Sequence, residues 1–205
     1  MKRTVAKNIP GYTYAQPDVA RSPITPKDLG LLKESVGFTD DDERYLRIAG
    51  EVLLDRTEEL VERWRAVIAA HPHLAQYSKR PDGQPDPHYS QNSGLRFQQW
   101  IVDTCLRPYD QDWLNYQQEI ALRHTSVKKN KTDRVESIGS IPLRYVVAFA
   151  AVINDAEIMR PLLAAKGHTG DEVERMYRAW CKSVLLQVAL WTEPYTNTKL
   201  AANEW

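Results

Sequence analysis

From Tyr109 to Lys131 the chain reads YDQDWLNYQQEIALRHTSVKKNK, and Trp113, Tyr116, Ile120 and His124 follow one another at steps of three, four and four. That spacing places all four side chains on one stripe of a helix over Tyr109–Lys131. Asp110 or Asp112 suits the N-terminal end of this helix, and Arg123, Lys128 and Lys129 gather at its negative end. A histidine closing an apolar stripe has two readings. It is a boundary residue satisfied by backbone carbonyls, or an axial ligand that offers a neutral imidazole nitrogen to a haem iron across an apolar pocket. Spacing does not decide between them.

The rest of the chain repeats the helical period. Thr25-Pro26 opens a short helix with stripe Leu29, Leu32 and Val36, stopped at Gly37. Thr39 with Asp42 forms a capping-box signal, and a helical pattern then runs to about Ala70 through Tyr45, Ile48, Val52, Leu60, Trp64 and Val67. So long a run predicts a bend, near Gly50 or Asp55. His71-Pro72-His73 ends it, and residues 75–88 form a polar connection with an Asp82-Gly83 turn. A helix over 88–106 follows, and Gly94 in its first half marks a close approach by another backbone or a ligand. Pro142 begins a helix that is apolar nearly all round from Tyr145 to Ile153, hence expected to be deeply buried; Pro161 kinks its continuation and Lys166-Gly167 ends it. Thr169 caps the last helix, from 171 to about 192, and the tail from Pro194 is expected to fray. No strand alternation persists, so the fold class is all-α with seven or eight helices. The division is an arm over 1–24, a helical domain over 25–195 and a tail over 196–205.

Composition excludes more than it selects. Lys plus Arg and Asp plus Glu are 27 each, which gives no electrostatic reason to expect nucleic acid or an anionic membrane. The densest apolar run, Tyr145–Ile153, is too short to span a bilayer, and the N-terminus lacks a signal-peptide core. Two cysteines far apart, Cys105 and Cys181, read as reduced thiols of a cytoplasmic protein. The His71–His73 pair has no third metal ligand at recognisable spacing. There is no G-x-S-x-G, H-E-x-x-H or glycine-rich phosphate loop. With no C-x-x-C-H, any haem is held without covalent attachment. Six tryptophans and ten tyrosines in an all-helical chain suit a large, flat, apolar ligand.

Several segments resemble the protoglobins, single-domain relatives of the globin-coupled sensors: IPGYTY (9–14), HPHL (71–74), RFxxWIxDTC (96–105), YDQxWLxYQxEIxLRH (109–124), KKNxTD (128–133), RYxVAF (144–149), KGHT (166–169) and LQVALW (186–191). They cover nearly the whole chain in order. The resemblance implies a globin-like fold with an N-terminal extension and an extra N-terminal helix, a deeply buried haem b, and a homodimer through the last two long helices. It implies that His124 is the proximal ligand, that Trp64, Phe97 and Phe149 are distal-side aromatics, and that Ile141, Val146 and Ile153 line the haem. The chain departs from the family at Arg65, where a tyrosine usually follows the tryptophan, at Ala75-Gln76-Tyr77-Ser78, and at Asn92-Ser93-Gly94. These changes suggest a more open or more mobile distal side.

Two functions follow from the resemblance. The first is reversible binding of O2, CO or NO at a histidine-ligated iron with an open distal site. The second uses the same iron for catalysis: peroxidase or nitrite chemistry, or engineered carbene-type group transfer. A third, from the helices alone, is a dimerisation or sensor module without haem.

Overall fold

The computed structural model describes residues 8–196. The first seven residues of the arm and the tail over 197–205 lie outside this range. Among the described residues the chain is helical throughout its ordered elements, with a lone β-bridge between Lys79 and Pro85. No helix is long and apolar enough to cross a membrane.

The local start signals act as the sequence predicts. Thr25 caps α1 (Pro26–Ser35) in a complete capping box with Asp28, and Thr39 with Asp42 does the same for α2 (Asp40–Leu53). These boxes satisfy backbone N–H groups that the first helical turn leaves without partners. Gly37 follows α1 at φ +60°, in the region glycine favours. The expected bend is a break over residues 54–56, before α3 (Thr57–Ala70). Gly50 has another use: a Cβ there would lie 2.7 Å from both Cys105 Cβ and Leu106 Cδ2, so its absence lets α5 (Pro87–Leu106) close onto α2. Between them, α4 (Pro72–Ala75) and a 3-10 turn (Gln76–Ser78) carry the chain across.

Three sequence expectations are corrected. The helix beginning at Gln111, α6, is capped by Asp110 and ends at Leu122, well before Lys131; residues 123–134 continue as turns. The helix from Pro142 breaks at Asn154 rather than at Pro161. Asp155 accepts from Glu157 N–H and starts α8 (Ala156–Leu163), with Pro161 inside it, so α7 is only Leu143–Ile153. Nor is α7 buried all round: Val147 is 44% exposed, and Ala148 and Ala151 are exposed.

The last long helix, α9 (Gly170–Trp191), is the spine of the domain. It packs against α2, α6, α7 and α8. Its buried face carries Trp180, Val184 and Gln187. Gln187 is fully buried, and its amide is spent within the core: Oε1 accepts from Trp100 Nε1 at 2.6 Å, while Nε2 donates to Thr104 Oγ1. A polar side chain in such a core costs little only when its groups are paired in this way. The chain stays packed beyond α9 instead of fraying at Pro194. A short helix, α10 (Glu193–Thr196), buries Pro194, and Tyr195 Oη donates to Ile141 O.

The described part of the arm is anchored across α5 and α6. Tyr12 Oη donates to the buried Asp103 at 2.7 Å, Ser22 N–H to Asn115 Oδ1, and Ala20 N–H to Glu119 Oε2.

Candidate functional site

His124 stands just past the end of α6, where the winding tightens: His124 N–H donates to Ala121 O and Thr125 N–H to Leu122 O. The last carbonyls of a helix lack intrahelical partners. His124 uses one of them, pairing Nδ1 with Ile120 O at 2.8 Å. Because a carbonyl only accepts, Nδ1 carries the proton and Nε2 is left as the lone-pair nitrogen. Nε2 makes no hydrogen bond among the described residues. Burial, the larger effect, outweighs the carbonyl contact and holds the imidazole pKa below its ordinary value. The ring stacks on Trp191 (centroids 6.1 Å, planes 25° apart), whose Nε1 donates to the buried Gln117 Oε1. The backbone is tied as well: Ile141 N–H donates to His124 O at 2.7 Å.

On α3 and α5, Trp64 is fully buried and its ring lies 5.1 Å from that of Phe97. It also stacks on Trp180 and meets Trp100 edge-on. An unbroken series of ring contacts therefore runs from Trp64 through Trp100 and Trp191 to His124. Trp64 Nε1 is buried with no hydrogen-bond partner among the described residues.

Arg65 takes a different direction. Its Nη2 donates to Ser93 Oγ at 2.7 Å, and Ser93 Oγ in turn donates to Tyr89 O. A Cβ on Gly94 would lie 2.9 Å from Arg65 Nη1. The close approach at this glycine is made by a side chain, the Arg65 guanidinium, and not by the backbone or ligand expected from the sequence.

Val146 and Ile153 belong to the same buried cluster as Trp64, with Phe97, Ile141 and Phe149 packed against it. Of the predicted site residues, only Arg65 falls outside this cluster and its ring contacts. Sequence reasoning missed Trp191 as the neighbour of His124 and Lys129 as a buried cation. Trp191 was visible only as one more residue of an apolar stripe. The helix-end role expected for Lys129 is corrected: it is 2% exposed, and its Nζ donates to Tyr77 O and Ser137 Oγ. A cleft of about 520 Å³ lies elsewhere, between the arm and α5, bordered by Tyr12, Tyr14, Asp103 and Arg107. It contains no histidine.

The residues present fit a haem on chemical grounds. One face offers a neutral imidazole with an unspent lone pair, and another offers a buried indole N–H with no acceptor. Half-buried apolar groups such as Phe97, Ile141 and Phe149 complete the set. Fold and site together define an all-α globin-type protein. The protoglobin family model matches residues 25–201, and the chain belongs to the protoglobin family. Membership implies a haem cofactor and haem-based gas binding. A comparison with curated proteins finds no match.

Proposed function

We propose that this protoglobin binds haem b non-covalently, that His124 Nε2 would hold its iron, and that the protein reversibly binds O2, CO or NO. The single observation carrying this reading is the His124 ring itself, with Nδ1 committed to Ile120 O and Nε2 uncommitted. A ligating histidine needs its second nitrogen held in this manner, because that hydrogen bond fixes tautomer and ring orientation and raises basicity. When bound, the iron supplies the open coordination position at which diatomic gases bind. The chain's own residues do the rest. Trp191 would hold the imidazole by stacking while Ile141 N–H fixes the His124 backbone, Trp64, Phe97 and Phe149 would keep water from the distal side, and Ile141, Val146 and Ile153 would line the haem.

The apolar surface on α7 and α9, with Val147 44% and Leu185 50% exposed, supports a homodimer through these helices. Free Cys105 and Cys181 are consistent with a cytoplasmic setting. The second reading, nitrite chemistry at the same iron, draws support from one residue, the cationic Arg65 where a neutral tyrosine is usual.

The test is an absorption spectrum of the haem-reconstituted, reduced protein with and without CO, beside His124→Ala. A Soret band that moves with CO, and is lost or altered in the variant, is the expected result. A chain that takes up no stoichiometric haem, or a spectrum indifferent to His124, overturns the reading.

A further inference from the structure

Arg65 has no carboxylate within ion-pairing distance among the described residues. Arg96, whose charge acts on Arg65, is itself matched by Asp133. Arg65 has only the Ser93 hydroxyl, through one of its five N–H donors. It is half-buried, and burial pulls its pKa down, yet a guanidinium remains charged at any ordinary pH. Keeping such a cation without a charged partner is costly, and the lack of a Cβ on Gly94 leaves it room. The surrounding charge does not help either, since Arg96 repels it.

Its position relates it to the candidate haem side. Arg65 follows Trp64 on α3, and Ser93 lies one helical turn before Phe97 on α5, so the Arg65–Ser93 contact joins the same two helices as the Trp64–Phe97 ring contact. An arginine fork recognises planar oxyanions through two parallel hydrogen bonds, which a tyrosine hydroxyl cannot do. We infer that Arg65, posed by Ser93 and Gly94, is an anion-selecting residue that favours small monoanions over neutral ligands at the iron. This rests on the haem reading above and deepens it. The ligand class is the planar or linear monoanion, with nitrite and azide as probes.

The experiment is an equilibrium titration of the ferric holoprotein with nitrite, azide and the neutral ligand imidazole, in the wild type, Arg65→Gln, Arg65→Lys and Gly94→Ala. Removing a charged hydrogen-bond partner predicts a loss of about tenfold or more in nitrite and azide affinity for Arg65→Gln, with imidazole unchanged. Arg65→Lys keeps the charge but not the fork and should lie between. Gly94→Ala, which leaves the arginine present but displaces it, should approach Arg65→Gln. In parallel, the apoprotein of Arg65→Gln should melt at or above the wild-type temperature, since no ion pair is lost. Equal anion affinity across the four proteins overturns the inference. So does a lowered melting temperature with unchanged anion affinity, which makes Arg65 structural. Faster haem loss with unchanged anion affinity also overturns it, by placing Arg65 at the propionates. If no Soret band forms in any protein before an anion is added, the haem reading itself has failed and this inference with it.

Discussion

The His124 side and the Trp64–Arg65 side are built on opposite principles. Around His124 polar groups are answered within the protein: Nδ1 by Ile120 O, the His124 carbonyl by Ile141 N–H, Trp191 Nε1 by Gln117. One atom, Nε2, is left over. Across the domain, among the described residues, Trp64 keeps an indole N–H with no acceptor and Arg65 a charge with no counter-ion. A satisfied network fixes one geometry, whereas unsatisfied donors cost stability unless something arrives to take them. On the proposed haem reading, the contrast is between a fixed anchor and donors left for a ligand.

The largest test of the comparison removes the anchor. His124→Ala should abolish the CO-responsive Soret band of the reduced protein, because no other described histidine lies in the ring series that links the two sides. The apoprotein itself should fold, which circular dichroism at 222 nm would check. A variant that keeps the normal CO-bound spectrum breaks the comparison at its root.

Lys129 tests the same side through stability. Burial depresses its pKa from 10.5 to about 8. Below about 8 the amine is charged in both folded and unfolded chains, and the fold carries the full cost of burying it. As pH rises from about 8 towards 10.5 the folded form gives up its proton first, so that cost is relieved and stability rises. The difference between the two pKa values corresponds to about 3 kcal/mol. Urea denaturation of the apoprotein should therefore show the wild type gaining on Lys129→Met between pH 8 and 10. Parallel pH profiles would mean that the acceptors Tyr77 O and Ser137 Oγ already offset the burial.

Much of the fold was legible in local chemistry. Thr25, Thr39 and Thr169 each cap a helix as read, since a capping box is complete within four residues. The end of α6 was not, because the apolar stripe carries on through His124, whereas the backbone tightens there and the His124 carbonyl is taken by Ile141 N–H from a distant segment. Asp155 outweighs Pro161 for a related reason, as a side chain that caps a new helix breaks the old one at its own position. Trp191 and His124 are 67 residues apart by their numbers, and no periodicity pairs them. Gly94 announced a close approach, but only the fold identifies Arg65 as the group that makes it.

A matched pair of substitutions compares the two sides directly. Trp191→Phe and Trp64→Phe delete the same indole portion, and both residues are buried. The first strands Gln117 Oε1 in the core, whereas the second removes a donor that had no acceptor. In the apoprotein Trp191→Phe should be the more destabilising by about 1–2 kcal/mol, measured by urea denaturation. Equal losses would show that Trp64 Nε1 is satisfied in solution and that the two sides do not differ.

The smallest expected effect lies at Ser93, and it separates pose from charge on the distal side. Ser93→Ala takes away the only hydrogen bond Arg65 makes among the described residues, yet leaves the guanidinium and the room beside Gly94. Alanine also suits the interior of α5 better than serine, whose hydroxyl bonds back to Tyr89 O and competes with the helix. Stability should therefore stay within about 0.5 kcal/mol of wild type. Nitrite affinity of the ferric holoprotein should fall by about threefold, the equivalent of about 0.7 kcal/mol, because an unposed arginine must be ordered again on each binding event. If Ser93→Ala instead matches Arg65→Gln, pose is everything and charge alone contributes nothing. If it leaves nitrite affinity unchanged, the arginine finds its working orientation without the hydroxyl, and Gly94 alone accounts for where it sits.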